Sequence, residues 1–269
     1  MLSHVWLQSK LDRRYGGSSE NVRSNLKSAG FNRELILVNV RKMKKLIEGL
    51  NWEAAGSEWG DYAEFHNYSD EDHVRKESFV RDAISSEQPA TVWDIGCNTG
   101  QFSRIAAEQC QQVVAMDIDH VAVERLYREE KTPDNILPLV QNLADPSPSW
   151  GWRNQERSDL HSRSQPDLVL CLALIHHMVI SANIPLPEFV QWLAGLTDTL
   201  VIEYVSRKDD KVRTLLRNKE DKYQDYSREG LESALEQYFE IRRKEEVNQG
   251  DRTLYLCVKQ SPNADRQPG

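Results

Sequence analysis

The chain holds 269 residues, 39% hydrophobic and 28% charged, with 10 Pro and 13 Gly; this excludes collagen-like, mucin-like and wholly disordered classes and leaves enough chain to bury a sizeable core. Net charge is −8, yet residues 1–50 carry ten basic against four acidic residues, a net of +6, and the rest is −14, so the body of the chain disfavours a phosphate-backbone partner. No run approaches the roughly 20 apolar residues of a bilayer span and the first residues lack a signal-peptide core, from which a cytoplasmic protein with no membrane partner is expected.

In chain order, Gly16-Gly17-Ser18-Ser19 breaks a first helix-like stretch. Ile36, Val40, Met43, Ile47 and Leu50 then recur at helical spacing with Arg41, Lys42, Lys44 and Lys45 between them. This predicts a basic amphipathic helix, whose apolar stripe is expected to pack on the protein's own core although a membrane surface or RNA is open to it. Residues 1–50 form a basic helical segment, and residues 51–85 an aromatic linker (Trp52, Trp59, Tyr62, Phe65, Tyr68) ending in a lid-like helix from Asp70 through Val80. From Thr91 short apolar runs alternate with helical stretches. TVWDIG, QQVVAMDID, NILPLV, PDLVLCLA and LTDTLVIEYV read as strands, with helices starting near Gln101, Val121 and Leu186. The tract from Ser206 to Arg228 alternates charge and reads as solvated helix, with Tyr223 and Tyr226 as candidates to turn inward. IRRKEEV and TLYLCVK, flanking Asn248-Gln249-Gly250-Asp251, form a hairpin. The fold class is therefore α/β: residues 86–260 make a Rossmann-like, doubly wound, mostly parallel sheet with an antiparallel edge hairpin, after a helical N-terminal extension and before a frayed tail, 261–269.

Cys97, Cys110, Cys171 and Cys257 are scattered, which indicates reduced buried thiols and no metal site. In an open parallel sheet the ligand lies beyond the carboxyl ends of the strands, here at Asp94-Ile95-Gly96-Cys97-Asn98-Thr99-Gly100. Gly96 permits the tight turn and Gly100 lets the next helix pack close. Dinucleotide binders need glycine where Asn98 and Gln101 stand, and no GxxxxGK[ST] run is present, so a nicotinamide oxidoreductase and a triphosphate site are both disfavoured. Asp94 at the strand end suits a sulfonium rather than a phosphate, which points to S-adenosylmethionine as cofactor. Asp117 at the end of the second strand can accept from both ribose hydroxyls, Asn142 at the end of the third can bond the adenine edge, and Ile118 and Leu143 can sandwich the ring.

Residues 91–205, through VWDIGCNTGQFS, VVAMDID, LVQNLADPSPSWGW and LVLCLALIHHM, resemble a class I S-adenosylmethionine-dependent methyltransferase. The wording of DIGCNTG, DPSPSWGW, LALIHH and KDDKVRTLLRNKEDKYQDYS is similar to a bacterial group related to nodulation host-specificity methyltransferases. The resemblance implies that Asp94, Gly96, Asn98 and Gly100, with Cys97 and Phe102 in the same stretch, surround the methionine part, that Asp117 takes the ribose and Asn142 the adenine. Many relatives carry an acid where Asn142 stands. Longer members of that group carry more sequence upstream, so the resemblance implies that residues 1–50 are either the remnant or the tail end of an N-terminal domain.

In-line methyl transfer needs a nucleophile held near the methyl with water excluded. A base is needed for a hydroxyl acceptor, and position nominates His176, His177 and Glu203, each with a structural alternative: packing under the sheet for the histidines, an Arg partner for the glutamate. Trp59, Tyr62 and Tyr68 could cover the site or form an auxiliary core, and Lys76 could reach the cofactor carboxylate or stay solvated. The expected activity is methyl transfer to a small-molecule or saccharide-like acceptor. RNA or protein methylation recruited through the basic helix, and a non-catalytic cofactor-binding module, are the alternatives.

Overall fold

The computed structural model describes residues 33–51, 70–129, 132–217, 219–220 and 222–260. The aromatic residues Trp52, Trp59, Tyr62, Phe65 and Tyr68, the Gly16 to Ser19 break and the tail 261–269 lie outside them. Two compact units divide the chain, Met1–Glu53 and Ala54–Gly269.

In the first unit the described element is α1 (Arg33–Glu48). Its basic and apolar residues fall on the helical spacing read from the sequence. Of these apolar residues, Ile36 is 53% exposed, Ile47 64% and Leu50 71%.

The second unit begins with α2 (Asp70–Glu87), longer than the sequence reading at its C-terminal end because Phe79, Val80, Ala83 and Ile84 continue one apolar face, all of it buried. Then follow β1 (Thr91–Ile95), α3 (Gln101–Ala107), β2 (Gln112–Asp117), α4 (His120–Arg128), β3 (Ile136–Val140), a short α5 (Leu160–Arg163) and β4 (Leu168–Cys171). A π-turn (His177–Ser181) leads to α6 (Leu186–Leu196), β5 (Thr199–Val205), α7 (Asp210–Leu216), α8 (Arg228–Leu235), β6 (Phe239–Val247) and β7 (Arg252–Lys259).

The seven strands form one sheet in the order β3-β2-β1-β4-β5-β7-β6. The first five are parallel, and β7 inserts antiparallel between β5 and β6. Both faces are covered. Trp93, Val169, Cys171 and Ile202 pack with Phe189 and Leu193 of α6 on one side; Val92, Leu168, Leu170 and Val201 pack with Phe79 and Val80 of α2 on the other. Strands buried on both faces are continuous apolar runs, which is why LVLC and TLVIEYV carry no alternation. Pro138, which cannot donate to a ladder, sits in the edge strand β3.

The Ser206 to Arg228 tract is not one helix. Asp209 caps α7 by accepting from Lys211 N at 2.9 Å, but the helix ends at Leu216 because the chain must return to the sheet: Arg207 Nη1 donates to Tyr223 O at 2.8 Å and the fully buried Tyr226 hydroxyl donates to Val205 O at 2.6 Å. Tyr226 is thus turned inward as the sequence suggested. Helix α8, not foreseen, starts at Ser227, whose Oγ accepts from Gly230 N at 2.9 Å.

Candidate functional site

Strands β2 and β3 leave β1 on one side and β4 and β5 on the other, so the order reverses between β1 and β4. A cavity of about 420 Å³ opens at that carboxyl edge, a volume suited to a small organic ligand. One wall is Gly96, Asn98, Asp117, Ile118, Asn142 and Leu143, with Gln141 and Ala144; the other is the segment after β4, from Leu172 through Ala182.

The first wall is built by the glycine turn. Gly96 and Cys97 N–H both donate to Met116 O, at 2.8 and 3.0 Å, which ties the turn to β2. Gly96, Asn98 and Gly100 are all left-handed, with φ of 78°, 50° and 81°. A Cβ on Gly100 would stand 2.5 Å from Cδ1 of the fully buried Leu126, so this glycine serves helix packing, as the sequence reading held. Asp117 accepts from Asn98 N at 2.8 Å through one oxygen and from Asp119 N at 2.9 Å through the other. A carboxylate has about four lone-pair sites, so each oxygen retains capacity for a ligand. Burial pushes Asp117 above the ordinary carboxylate range. Ile118 is 58% exposed at the cavity edge. Asn142 accepts from Ala144 N at 3.0 Å, which leaves its NH₂ as the group to offer a ligand.

Four of the ten sequence-nominated cofactor residues do not line this cavity. Asp94 lies behind the turn, 2% exposed, where it accepts from Ser103 Oγ at 2.5 Å, and burial pushes its pKa up to about 6. Cys97 is buried and its thiol is pushed up by burial. Gly100 packs on Leu126, and Phe102 lies beneath the Lys76 ammonium, 4.8 Å from the ring centroid.

The three nominated bases separate. His177 is on the cavity wall, and burial, with Lys211 nearby, lowers it to about 4, so it is neutral at pH 7. His176 is fully buried under it, rings 4.1 Å apart, and burial holds it well below its ordinary value. Glu203 is sealed in an ion-pair network: Lys76 Nζ donates to it at 2.6 Å and Arg252 Nη1 at 3.1 Å, while Arg252 Nη2 donates to Asp209 at 2.8 Å. Lys76 is 4% exposed, so the solvated reading does not hold. Burial lowers its pKa against the pull of Glu203. Among the cavity-lining residues the titratable side chains are Asp117 and His177.

Of the second wall the sequence reading had nominated His177 alone. Leu172, Leu174 and Met178 make it apolar, Ala173 adopts φ 50°, and the π-turn carries His177 and Ser181 to the cavity. Such turns recur at functional sites, but no residue pattern announces one. All four cysteines are free and buried, and among the described residues no cluster of His, Cys, Asp and Glu is placed to hold a metal ion. No helix among them is long and apolar enough to cross a membrane.

Nodulation protein NoeA of Rhizobium meliloti (strain 1021) is 36% identical over 201 residues, which cover 74% of this chain and 42% of NoeA. The chain therefore spans about two fifths of the length of that curated relative. The crystal structure of N-methyltransferase NodS from Bradyrhizobium japonicum WM9 superposes with a TM-score of 0.52 at 12% identity, covering 72% of this chain and 99% of NodS. Its complex with S-adenosyl-L-homocysteine gives 0.51 at 13% identity, over 71% and 88%. At such identities the likeness bears on the fold. A family profile described as a methyltransferase domain matches residues 72–239, more than half of the sequence and all of the cavity wall, and the chain belongs to that family.

Proposed function

We propose that the protein transfers a methyl group from S-adenosylmethionine to a small-molecule or saccharide-like acceptor held over the π-turn wall. The observation that carries this reading is the pairing, around one 420 Å³ cavity, of a glycine turn without a pyrophosphate cradle and a strand-end carboxylate with spare lone pairs. The cavity fits the cofactor's chemistry: bare backbone at Gly96 for the methionine arm, Asp117 for the ribose hydroxyls, the Asn142 amide for the adenine edge, Ile118 and Leu143 for the ring faces. When bound, S-adenosylmethionine supplies an electrophilic methyl on a sulfonium that is its own leaving group.

The rest falls to the chain's residues. Leu172, Leu174 and Met178 exclude water. His177, neutral above about pH 4, is a weak base and a good hydrogen-bond partner, so it positions the acceptor. Glu203, with a cation on each oxygen, stabilises the sheet end. A wall without a strong base suits a nitrogen nucleophile that reacts as its free base. Asp94 puts negative charge behind the turn, which favours a cationic sulfur nearby.

The test is calorimetric titration of the full chain with S-adenosylhomocysteine, followed by mass spectrometry of a cell extract incubated with deuteromethyl-labelled cofactor. Binding and one labelled metabolite are expected. Binding without any labelled product would favour the non-catalytic module. The exposed apolar and basic faces of α1 favour a second reading, recruitment of RNA or protein; a labelled macromolecule in the same extract, lost when residues 1–50 are removed, would establish it instead.

A further inference from the structure

Thirteen residues separate Asp145 from Asp159, and that loop begins where the cavity wall Gln141–Ala144 ends. It is tied to that wall: Ser147 Oγ donates to Gln141 Oε1 at 3.2 Å, and Leu160 N donates to Ser147 O at 3.0 Å. Its tip is closed by an isolated bridge between Trp150 and Arg157, with Trp150 N donating to Arg157 O at 2.9 Å and Arg157 N to Trp150 O at 3.1 Å. Inside the bridge the chain turns through Trp152–Asn154, with Arg153 and Asn154 both at φ 56°. Gly151 is at φ 89°, where a Cβ would meet Glu156 Oε2 at 2.3 Å. Backbone hydrogen bonds from Asn154 N to Gly151 O, Gln155 N to Trp152 O and Glu156 N to Trp150 O close the tip further.

What this loop presents is unusual for a surface. Trp150 is 60% exposed and Trp152 78%. Indoles are the largest apolar side chains, and a well-hydrogen-bonded loop that leaves two of them in water forgoes the burial that normally accompanies them. Around them the exposed side chains are all polar: Arg153, Asn154, Gln155, Glu156, Arg157 and Ser158, with the Arg157 guanidinium 5.9 Å from the Trp150 ring centroid.

We infer that this tip is a docking subsite for neutral pyranose rings of an extended acceptor whose reactive end enters the cavity. The inference rests on the methyl-transfer reading above and adds where the rest of the acceptor is held. A pyranose has a face of C–H groups and a rim of hydroxyls. The negative face of an indole attracts the first, and the Asn154 and Gln155 amides and the Arg157 guanidinium supply donors and acceptors for the second. The competing occupants fit less well. Phosphate backbones and anionic headgroups meet a chain that is −14 beyond residue 50. An apolar peptide or a bilayer interior would want aliphatic neighbours, and residues 151–158 hold none.

The test is titration of the full chain, saturated with S-adenosylhomocysteine, with neutral hexasaccharides of several linkages (cellohexaose, maltohexaose, xylohexaose and the N-acetylglucosamine hexamer), following tryptophan indole N–H resonances. The expected result is that at least one sugar shifts the Trp150 and Trp152 signals, and that Trp152→Ala raises its Kd about ten-fold or more while S-adenosylhomocysteine affinity stays unchanged. Both side chains are exposed, so the variant keeps its fold. Absence of indole shifts with all four sugars overturns the inference, as do equal affinities in the variant, or preferential binding to an oligonucleotide or a phosphatidylglycerol vesicle that Trp152→Ala abolishes. Failure of S-adenosylhomocysteine to bind would instead strike the methyl-transfer reading, and the sugar titration repeated without it still reports on the loop.

Discussion

Asp117 and Glu203 look alike in the sequence, each an acid near the carboxyl end of an apolar strand, and the fold treats them oppositely. Asp117 ends β2 beside the cavity, holds two backbone N–H groups and keeps lone pairs for a ligand. Glu203, in β5, receives Lys76 from α2 and Arg252 from β7, and Arg252 also grips Asp209 at the start of α7. The difference comes from the partners. Asp117 receives backbone amides, Asn98 N from the glycine turn and Asp119 N from just after β2, whereas the antiparallel β7 delivers a guanidinium beside Val205 in register. A strand-end acid is therefore a ligand candidate only where no cation arrives from another part of the chain.

This contrast is broken most severely by removing the shared cation. Arg252→Met leaves Glu203 and Asp209 buried with less compensation, and should cost about 3–5 kcal/mol of stability, read as a lower urea midpoint at unchanged m-value. A loss under about 1 kcal/mol would mean that the network is solvated and that Glu203 is free to act.

Asp94 gives the next largest effect, and its sign is opposite to that of a paired acid. Its folded pKa of about 6 stands above the ordinary 3.8, so the folded state binds the proton more tightly than the unfolded state. The stability it contributes is fully present below about pH 3.8 and is lost as pH rises through about 6. Asp94→Asn lacks that loss. Between pH 4 and pH 7.5 the variant should gain on the native chain by up to about 3 kcal/mol, measured as paired denaturation curves; a difference that does not change with pH would show Asp94 to be solvated. The same variant should bind S-adenosylhomocysteine, which is uncharged at sulfur, about as well as the native chain, because Asp94 lies behind the turn and acts on the ligand only through its charge.

Asp117→Ala should weaken S-adenosylhomocysteine binding by roughly ten- to a hundred-fold, about 1.5–3 kcal/mol. Because the carboxylate also organises the turn through Asn98 N, Asp117→Asn sharpens the test: it retains acceptor capacity for one backbone bond, so its stability should exceed that of the alanine variant while its affinity falls with it. Unchanged affinity in either folded variant removes the ribose assignment.

The side of the cavity that Asp117 serves was legible because its chemistry is local. A glycine that needs φ 78°, an acid at a strand end and an amide at the next strand end are each fixed by one turn. The sheet was legible for the same reason, since apolar runs alternating with helical spacing permit few topologies. Of the opposite wall only His177 was legible, from its place after the fourth strand. Ala173 at φ 50° and the π-turn bearing His177 arise from how the chain leaves β4 against α6, a tertiary constraint with no residue signature. Lys76 was similarly opaque: as a sequence position it is a lysine on a polar helix, and its burial follows from Glu203, 127 residues away. The long charged tract after β5 misled for a related reason, because Tyr226 and Arg207 fold it back onto the sheet.

His177 yields the smallest effect and the finest discrimination between the two walls. As a catalytic base it would have to titrate near its ordinary 6.5, giving kcat/KM an acid limb there, and its removal would cost about 10²–10⁴ in rate. Burial holds it instead at about 4, so it stays neutral across the range in which the enzyme is assayed and only donates or accepts a hydrogen bond. His177→Asn should then lower kcat/KM by about five- to ten-fold, the value of one hydrogen bond, without removing any inflection between pH 5.5 and 8. An inflection near 6.5 that disappears in the variant would turn the π-turn wall from a positioning surface into the source of the base, and would reopen a hydroxyl as the acceptor.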